Sequence, residues 1–177
     1  DLDRLTMIVS AIVHDLDHPG TNNLYQVNKK TELAVKYDNK SVLERYHIDL
    51  SNSLFGEIKL LEALHLSEGD KTLFLEGMRD LILYTDMAQH FGLCGTLQEH
   101  TKKWKTGDHE LSKEDKTVYM KSLLHLADIS NPFKEWAMCK FWSDRVFAEF
   151  YDQGDKEKAE ELPVSMLCDR STTWQDE

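Results

Sequence analysis

Two histidines and two aspartates stand within five positions, His14-Asp15-Leu16-Asp17-His18, directly after an apolar run. Neutral imidazole is a common metal ligand, and carboxylates suit hard divalent cations. Adjacent His14 and Asp15 at a helix end can both reach one ion. Asp17 and His18 come closely enough after them to orient the ligands or water held by the ion. Pro19-Gly20 then stops the helix and lets the chain turn tightly. The plainer alternative is a polar helix terminus and a turn. Against it stands the cost of gathering four ionisable groups at the end of an apolar helix without a partner of opposite charge.

A second candidate is Ala127-Asp128-Ile129-Ser130-Asn131-Pro132. Here too an apolar helical stretch ends in a carboxylate and then a proline break. Two such helices could converge on one ion, although Asp128 could equally cap the next segment. Thr85-Asp86 is a third polar insertion, between Tyr84 and Met87, and could also be an ordinary satisfied buried pair. Glu44 and His47 share one helical face at i,i+3 spacing, which fits a helical metal motif or merely a capping glutamate. No GxSxG, P-loop or GxGxxG string is present, so a nucleophile elbow or nucleotide cradle has no support.

The elements that must position these groups read as helices. Residues 2–14 are apolar on nearly every side, which predicts a central buried helix. A short helical piece spans Thr31–Tyr37, and Asp38-Asn39 makes a turn. Ser41, with Glu44 at capping-box spacing, opens a helix ending near Gly56. Residues 57–66 predict a short helix closed by Ser67-Glu68-Gly69-Asp70, and residues 71–90 a long one. The segment 92–112, with Gly92, Gly95 and Gly107, reads as a partly helical connection. Ser112 and Asp115 cap a helix running to Asp128. Residues 134–152 carry an aromatic stripe at helical spacing, core-like by default, and Gly154-Asp155 and Pro163 punctuate the tail. No alternating strand run and no internal repeat is present, so the expected fold class is all-α.

The 177 residues fit a single domain. A formal charge of −11 disfavours a nucleic-acid backbone or an anionic membrane surface as partner. It does not exclude a small phosphate substrate, because bound cations can outweigh net charge locally. Cys94, Cys139 and Cys168 form no CxxC pair, which argues against a disulfide framework or thiolate zinc site and points to a reducing, cytoplasmic setting. No apolar run approaches 18 residues, and no basic signal-peptide flank opens the chain. The abrupt Asp1-Leu2-Asp3 start and the Trp174-Gln175-Asp176-Glu177 end suggest a piece of a larger domain.

These residues carry a resemblance. His14-Asp15 with a distant Asp128 resembles the HD superfamily of metal-dependent phosphohydrolases. The longer string His14-Asp15-x-Asp17-His18-x-Gly20-x-x-Asn23 is similar to the signature of class I 3′,5′-cyclic-nucleotide phosphodiesterases. Further strings agree in order: Thr31-Glu32-Leu33-Ala34, Ser41-Val42-Leu43-Glu44, Thr85-Asp86-Met87, Ala127 to Pro132, Trp142 to Val146, Glu149 to Tyr151, Gln153-Gly154-Asp155 and Cys168-Asp169-Arg170. The match covers nearly the whole chain, making residues 1–177 one partial catalytic domain. The run from Asp15 to Val35 looks closest to cGMP-specific, high-affinity members.

The resemblance implies an all-α, HD-type helical core, truncated at both ends, that hydrolyses cGMP or cAMP to the 5′-monophosphate. It implies two divalent ions, zinc in the tighter site and magnesium or manganese in the other, with an activated bridging water as nucleophile. His14, Asp15 and Asp128 match ligands of the first ion, and Asp15 bridges to the second. His18, Glu44 and Thr85 match positions that hold metal-bound water, and Asp17 a carboxylate supporting the ligands. Met87, Asn131 and Val146 match nucleotide-pocket positions. The implied partner is a small cyclic nucleotide, with regulatory domains outside the segment. Departures are also present. The family's upstream histidines, one of them the general acid, and its purine-gripping Gln and stacking Phe have no counterpart in these residues. Glu44-Arg45-Tyr46-His47 replaces the usual Glu-Asn-His-His. Another HD phosphohydrolase and a non-catalytic module with the same fold are the alternatives.

Overall fold

Among the described residues, nine α-helices and two short 3₁₀ turns make up the regular structure and no strand occurs. The structure is a computed structural model and describes residues 2–104 and 111–172. Its chain divides into two compact units. The first comprises Asp1–Leu16 and Glu44–Ile129, the second Asp17–Leu43 and Ser130–Glu177.

The first unit holds α1 (Leu2–Val13), most of α4 (Val42–Glu57), α5 (Leu60–Ala63), α6 (Glu68–Leu83), α7 (His90–Trp104) and α8 (Lys113–Asp128). Its core is Val13, Ile48, Phe55, Phe74, Met78 and Ile82, with Leu5, Val9 and Leu61 packed around it. The expectation that α1 is apolar all round needs correction. Thr6 and Ser10 are buried, whereas Ile8 and Ile12 are 61% and 73% exposed. The two hydroxyls can be buried because each donates to the carbonyl one turn back, Thr6 to Leu2 at 2.9 Å and Ser10 to Thr6 at 2.7 Å. Their small side chains let α6 come close. A Cβ on Gly77 would lie 3.1 Å from the Thr6 methyl carbon.

Three boundaries also differ from expectation. Ser67 opens α6 rather than closing the preceding helix, its hydroxyl accepting from the Asp70 amide at 3.2 Å. The expected long helix 71–90 breaks at Tyr84–Asp86. Asp86 then caps a 3₁₀ turn, Met87–Gln89, by accepting from the Ala88 amide at 2.9 Å. The expected partly helical connection 92–112 is helical through residue 104, as part of α7 (His90–Trp104), because glycines at 92 and 95 weaken a helix without forbidding one. Gly107 lies outside the described residues. The capping box of α8 forms as expected, with Ser112 and Asp115 exchanging hydrogen bonds. Beneath it the buried His100 ring bonds to Asp115 and ties α7 to α8.

In the second unit, α2 (Asn23–Lys29) was not expected, since residues 22–40 read as polar with one short helical piece at Thr31–Tyr37. Asn22 is its N-cap, accepting from the Tyr25 amide at 2.9 Å. The expected helical piece is α3 (Glu32–Lys36), with Thr31 as its N-cap, and Asp38 and Asn39 form the expected turn with positive φ. Ser41 takes φ 42°, away from the extended conformation of an ordinary cap. The Leu43 amide at the start of α4 donates to the Asn23 side chain at 2.9 Å. The last helix, α9 (Trp136–Ala159), runs straight through the expected Gly154-Asp155 stop. Its aromatic stripe is not core. Trp136 is 71% exposed, and Phe141, Trp142 and Val146 are each 44% exposed. The rings contact one another and cations instead, Phe141 against Trp142 with the Arg145 guanidinium 3.5 Å from the Phe141 centroid. The buried face of α9 is Gln153, Gly154 and Glu157. No helix among the described residues is long and apolar enough to cross a membrane.

Candidate metal centre

The end of α1 and the end of α8 bring His14, Asp15 and Asp128 together. One ligand atom from each lies within 4.8 Å of the others. Helix α1 finishes at Val13, whose carbonyl accepts the Leu16 amide at 3.1 Å, so His14 and Asp15 occupy the closing turn. Asp128 is the last residue of α8, at the negative end of that helix's dipole. His14 donates Nδ1–H to the Ala11 carbonyl at 3.0 Å, which fixes the ring. Its Nε2 then sits 3.3 Å from Asp128 Oδ1 and 3.3 Å from Asp15 Oδ2.

A nitrogen between two carboxylates is electrostatically a cation site. Without an ion, the imidazole supplies the positive charge itself. The Asp128 carboxylate, and after it Asp15, push the His14 pKa up from 6.5 to about 10 against the opposing effect of burial. A divalent ion would take the place of that proton. The donor set, one imidazole nitrogen and two carboxylates, fits zinc or a harder divalent ion.

His47 belongs to the same neighbourhood and was not among the expected site residues. It is buried, donates Nδ1–H to the Leu16 carbonyl at 2.7 Å, and holds Nε2 3.9 Å from Asp15 Oδ1. Its i,i+3 spacing from Glu44 on α4 left a metal motif open as one of two readings, without assigning His47 a role. Among the other expected residues of this unit, Glu44 lies half-buried in the first turn of α4. Thr85 donates its hydroxyl to the Ile82 carbonyl at 2.8 Å, and Met87 is exposed in the 3₁₀ turn. The three-residue cluster does not include Glu44 or Thr85.

Asp17, His18, Asn131 and Val146 are part of the second unit. Asp17 adopts φ 59° in the turn after α1, and Gly20 adopts φ 68°. The Gly20 amide donates to His18 Nδ1 at 3.1 Å, which leaves a neutral ring's proton on Nε2. Asn131 opens a 3₁₀ turn and donates Nδ2–H to the Cys139 carbonyl and to Ser143 Oγ, each at 3.2 Å. Its buried Oδ1 has no hydrogen-bond partner among the described residues.

The family described as 3′5′-cyclic nucleotide phosphodiesterase matches residues 1–177. A probable 3′,5′-cyclic-AMP phosphodiesterase of Caenorhabditis elegans is 35% identical over 174 residues, covering 96% of this chain and 26% of that protein. The human dual specificity calcium/calmodulin-dependent 3′,5′-cyclic nucleotide phosphodiesterase 1B is 34% identical, covering 98% of this chain and 31% of its own length. A rat 3′,5′-cyclic-AMP phosphodiesterase 4C is 35% identical, covering 97% and 33%. The chain thus spans about a quarter to a third of the length of these relatives.

Proposed function

The chain belongs to the 3′5′-cyclic nucleotide phosphodiesterase family, and on that premise we propose that its protein hydrolyses a 3′,5′-cyclic nucleotide to the 5′-monophosphate. The observation that carries this reading is the cluster of His14, Asp15 and Asp128 in a chain of that family. The family is metal-dependent. The ions proposed here are zinc, which these three residues would hold, and magnesium or manganese, which Asp15 would help to hold. When bound, such ions screen the phosphodiester's charge and acidify water to a usable nucleophile.

The chain's own residues act on placement and charge. The Ala11 carbonyl holds the His14 ring with Nε2 toward the carboxylates, so no rotational freedom is lost on loading. Asp15 and Asp128 supply two negative charges against a divalent ion, and the α8 terminus adds its partial negative charge. His47, anchored on Leu16, directs Nε2 toward Asp15 and supports that carboxylate's orientation. His18, Glu44 and Thr85 are proposed to orient water, with Asp17 supporting the ligands. Met87, Asn131 and Val146 are proposed to line the nucleotide pocket, where the unpartnered Asn131 Oδ1 offers an acceptor to a nucleobase N–H. The relatives' names cover cAMP and both nucleotides, so the substrate is proposed at the level of the class. A cytoplasmic location and regulatory segments elsewhere in the protein belong to the same proposal.

The test is hydrolysis of cAMP and cGMP by the full-length protein with Mg²⁺ or Mn²⁺. Chelator-sensitive turnover, abolished by Asp128→Ala, is expected. Turnover that survives both chelator and substitution would overturn the reading. Bound metal with turnover only of other nucleoside phosphates would move the protein to another HD phosphohydrolase. Neither metal nor turnover would mark Arg45-Tyr46 as the signature of a non-catalytic module.

A further inference from the structure

The strings Gln153-Gly154-Asp155 and Ser165 to Cys168 take no part in the metal centre, yet they form the most deeply buried polar network of the second unit. Glu157 is 0% exposed, Gln153 and Cys168 are each 2% and Ser165 is 5%. Glu157 has no cation beside it in this network. Its Oε2 accepts the Ser165 amide at 2.8 Å, and its Oε1 accepts the Ser165 hydroxyl at 2.6 Å and Gln153 Nε2–H at 2.9 Å. Gln153 Nε2 also donates to Ser165 Oγ at 3.1 Å. With both amide protons committed, Gln153 must turn its oxygen the other way, where it accepts the Asn22 amide at 2.8 Å.

Gly154 makes this arrangement possible. A Cβ there would stand 1.9 Å from the Cys168 carbonyl oxygen, so only glycine lets residues 165–168 press onto α9 closely enough for Glu157 to hold Ser165. Asn22 ends the turn that begins at Asp17, and it caps α2. Within that turn Asp17 and Gly20 have left-handed backbones, and the Gly20 amide sets the His18 ring.

We propose that Gln153 and Glu157 are a positioning pair for the turn bearing Asp17 and His18, with the Glu157 carboxylate fixing which way the Gln153 amide faces and thereby anchoring Asn22. Its catalytic consequence rests on the phosphodiesterase reading of His18. The anchoring itself does not.

The pair makes a sharp chemical prediction. In Glu157→Gln the new amide must keep its oxygen on the Ser165 N–H, so its NH₂ faces the Gln153 NH₂. Gln153 then flips and presents donors to the Asn22 N–H, and that bond is lost. Adding Gln153→Glu restores the pattern. One carboxylate oxygen accepts from the new amide and the other from Asn22. Both variants keep the volume of the site.

The experiment compares the full-length protein with Glu157→Gln, with the Glu157→Gln/Gln153→Glu pair, and with Asp169→Asn. Asp169→Asn loosens the 165–172 segment through the exposed Lys158 bridge without touching Gln153. The readouts are amide exchange at Asn22 and cyclic-nucleotide kinetics per folded molecule. Exchange at Asn22 is expected to rise about tenfold or more in Glu157→Gln, and to return toward the parent's rate in the swapped pair. The turnover number is expected to fall about 10–100-fold in the single variant with KM little changed, and to recover in the pair. Asp169→Asn should match the parent in both. Unchanged Asn22 exchange in Glu157→Gln, or a swapped pair no better than the single variant, would overturn the proposal. A parent protein with no cyclic-nucleotide turnover would defeat the phosphodiesterase reading alone, since the exchange measurement still decides the anchoring.

Discussion

Metal loading at the centre must expel a proton, and the number of protons can be worked out from the geometry. In the metal-free protein the Asp128 and Asp15 carboxylates raise the His14 pKa to about 10. At pH 8 such an imidazole is ~99% protonated, whereas one at its ordinary value would be only ~3% protonated. Zinc needs the neutral ring, so loading at pH 8 is expected to release about one proton. Apparent zinc affinity should then rise about tenfold per pH unit between roughly pH 7 and pH 10. The assay is titration calorimetry in two buffers of different ionisation enthalpy, which gives the proton count directly. Asp128→Asn removes the first cause of the shift and one ligand together. It should cut the proton count at pH 8 and weaken zinc by at least about 100-fold, because loss of an outer-shell partner alone costs about 10–100-fold. Release near zero at pH 8, with affinity flat above pH 7.5, would refute the argument that His14 lies in a field made for a cation.

The same shift gives a stability prediction of definite sign. Because the folded-state pKa of His14 is raised, its contribution is complete below about pH 6.5 and is lost as pH rises to about 10; chemical denaturation of the metal-free protein across that window should show it. At the acid end, the hydrogen bond from Ser112, and then that from His100, lower the Asp115 pKa from 3.8 to about 2. Stability at the α7–α8 contact should therefore be present above about pH 3.8 and fade as pH falls toward 2, with Ser112→Ala, which also loses the N-cap at a cost of about 1 kcal/mol, shrinking the effect. Gly154→Ala should destabilise by about 1–3 kcal/mol in urea denaturation through the clash with the Cys168 carbonyl. In the first unit's core, Phe74→Ala should cost about 3–5 kcal/mol and Ile82→Val about 0.5–1.5 kcal/mol in the same assay.

Whether a feature could be read from the sequence depended on where its signal resides. The cluster of His14, Asp15 and Asp128 was legible as a candidate because the residue types that mark it are local. His14-Asp15 and Asp128 each sit at the end of an apolar helical run, and the fold needs only to bring two helix ends together. Caps of the Ser-x-x-Asp kind were equally legible at Ser112. Long-range satisfaction was not. Residues 2–14 read as apolar on nearly every side, yet the face that packs on α6 carries Thr6 and Ser10, whose hydroxyls bond to their own helix. Gly154 read as a helix stop because the distant Cys168 carbonyl, which explains it, leaves no local trace. The aromatic stripe of α9 has the period of a core face, and period alone does not say what covers it. His47 could be read only as one of two alternatives of its spacing from Glu44, since it is the distant Leu16 carbonyl and Asp15 that turn a buried histidine into part of the centre.

The central claim is that one divalent ion is held jointly by His14, Asp15 and Asp128 in a protein that hydrolyses a cyclic nucleotide. The most direct measurement is a zinc-edge anomalous difference map from crystals of the full-length protein in its active, zinc-containing form. A peak is expected about 2.0–2.2 Å from His14 Nε2 and from a carboxylate oxygen each of Asp15 and Asp128. A protein with chelator-sensitive turnover whose anomalous peak lies elsewhere, with these three side chains still bonded only to one another, would contradict it.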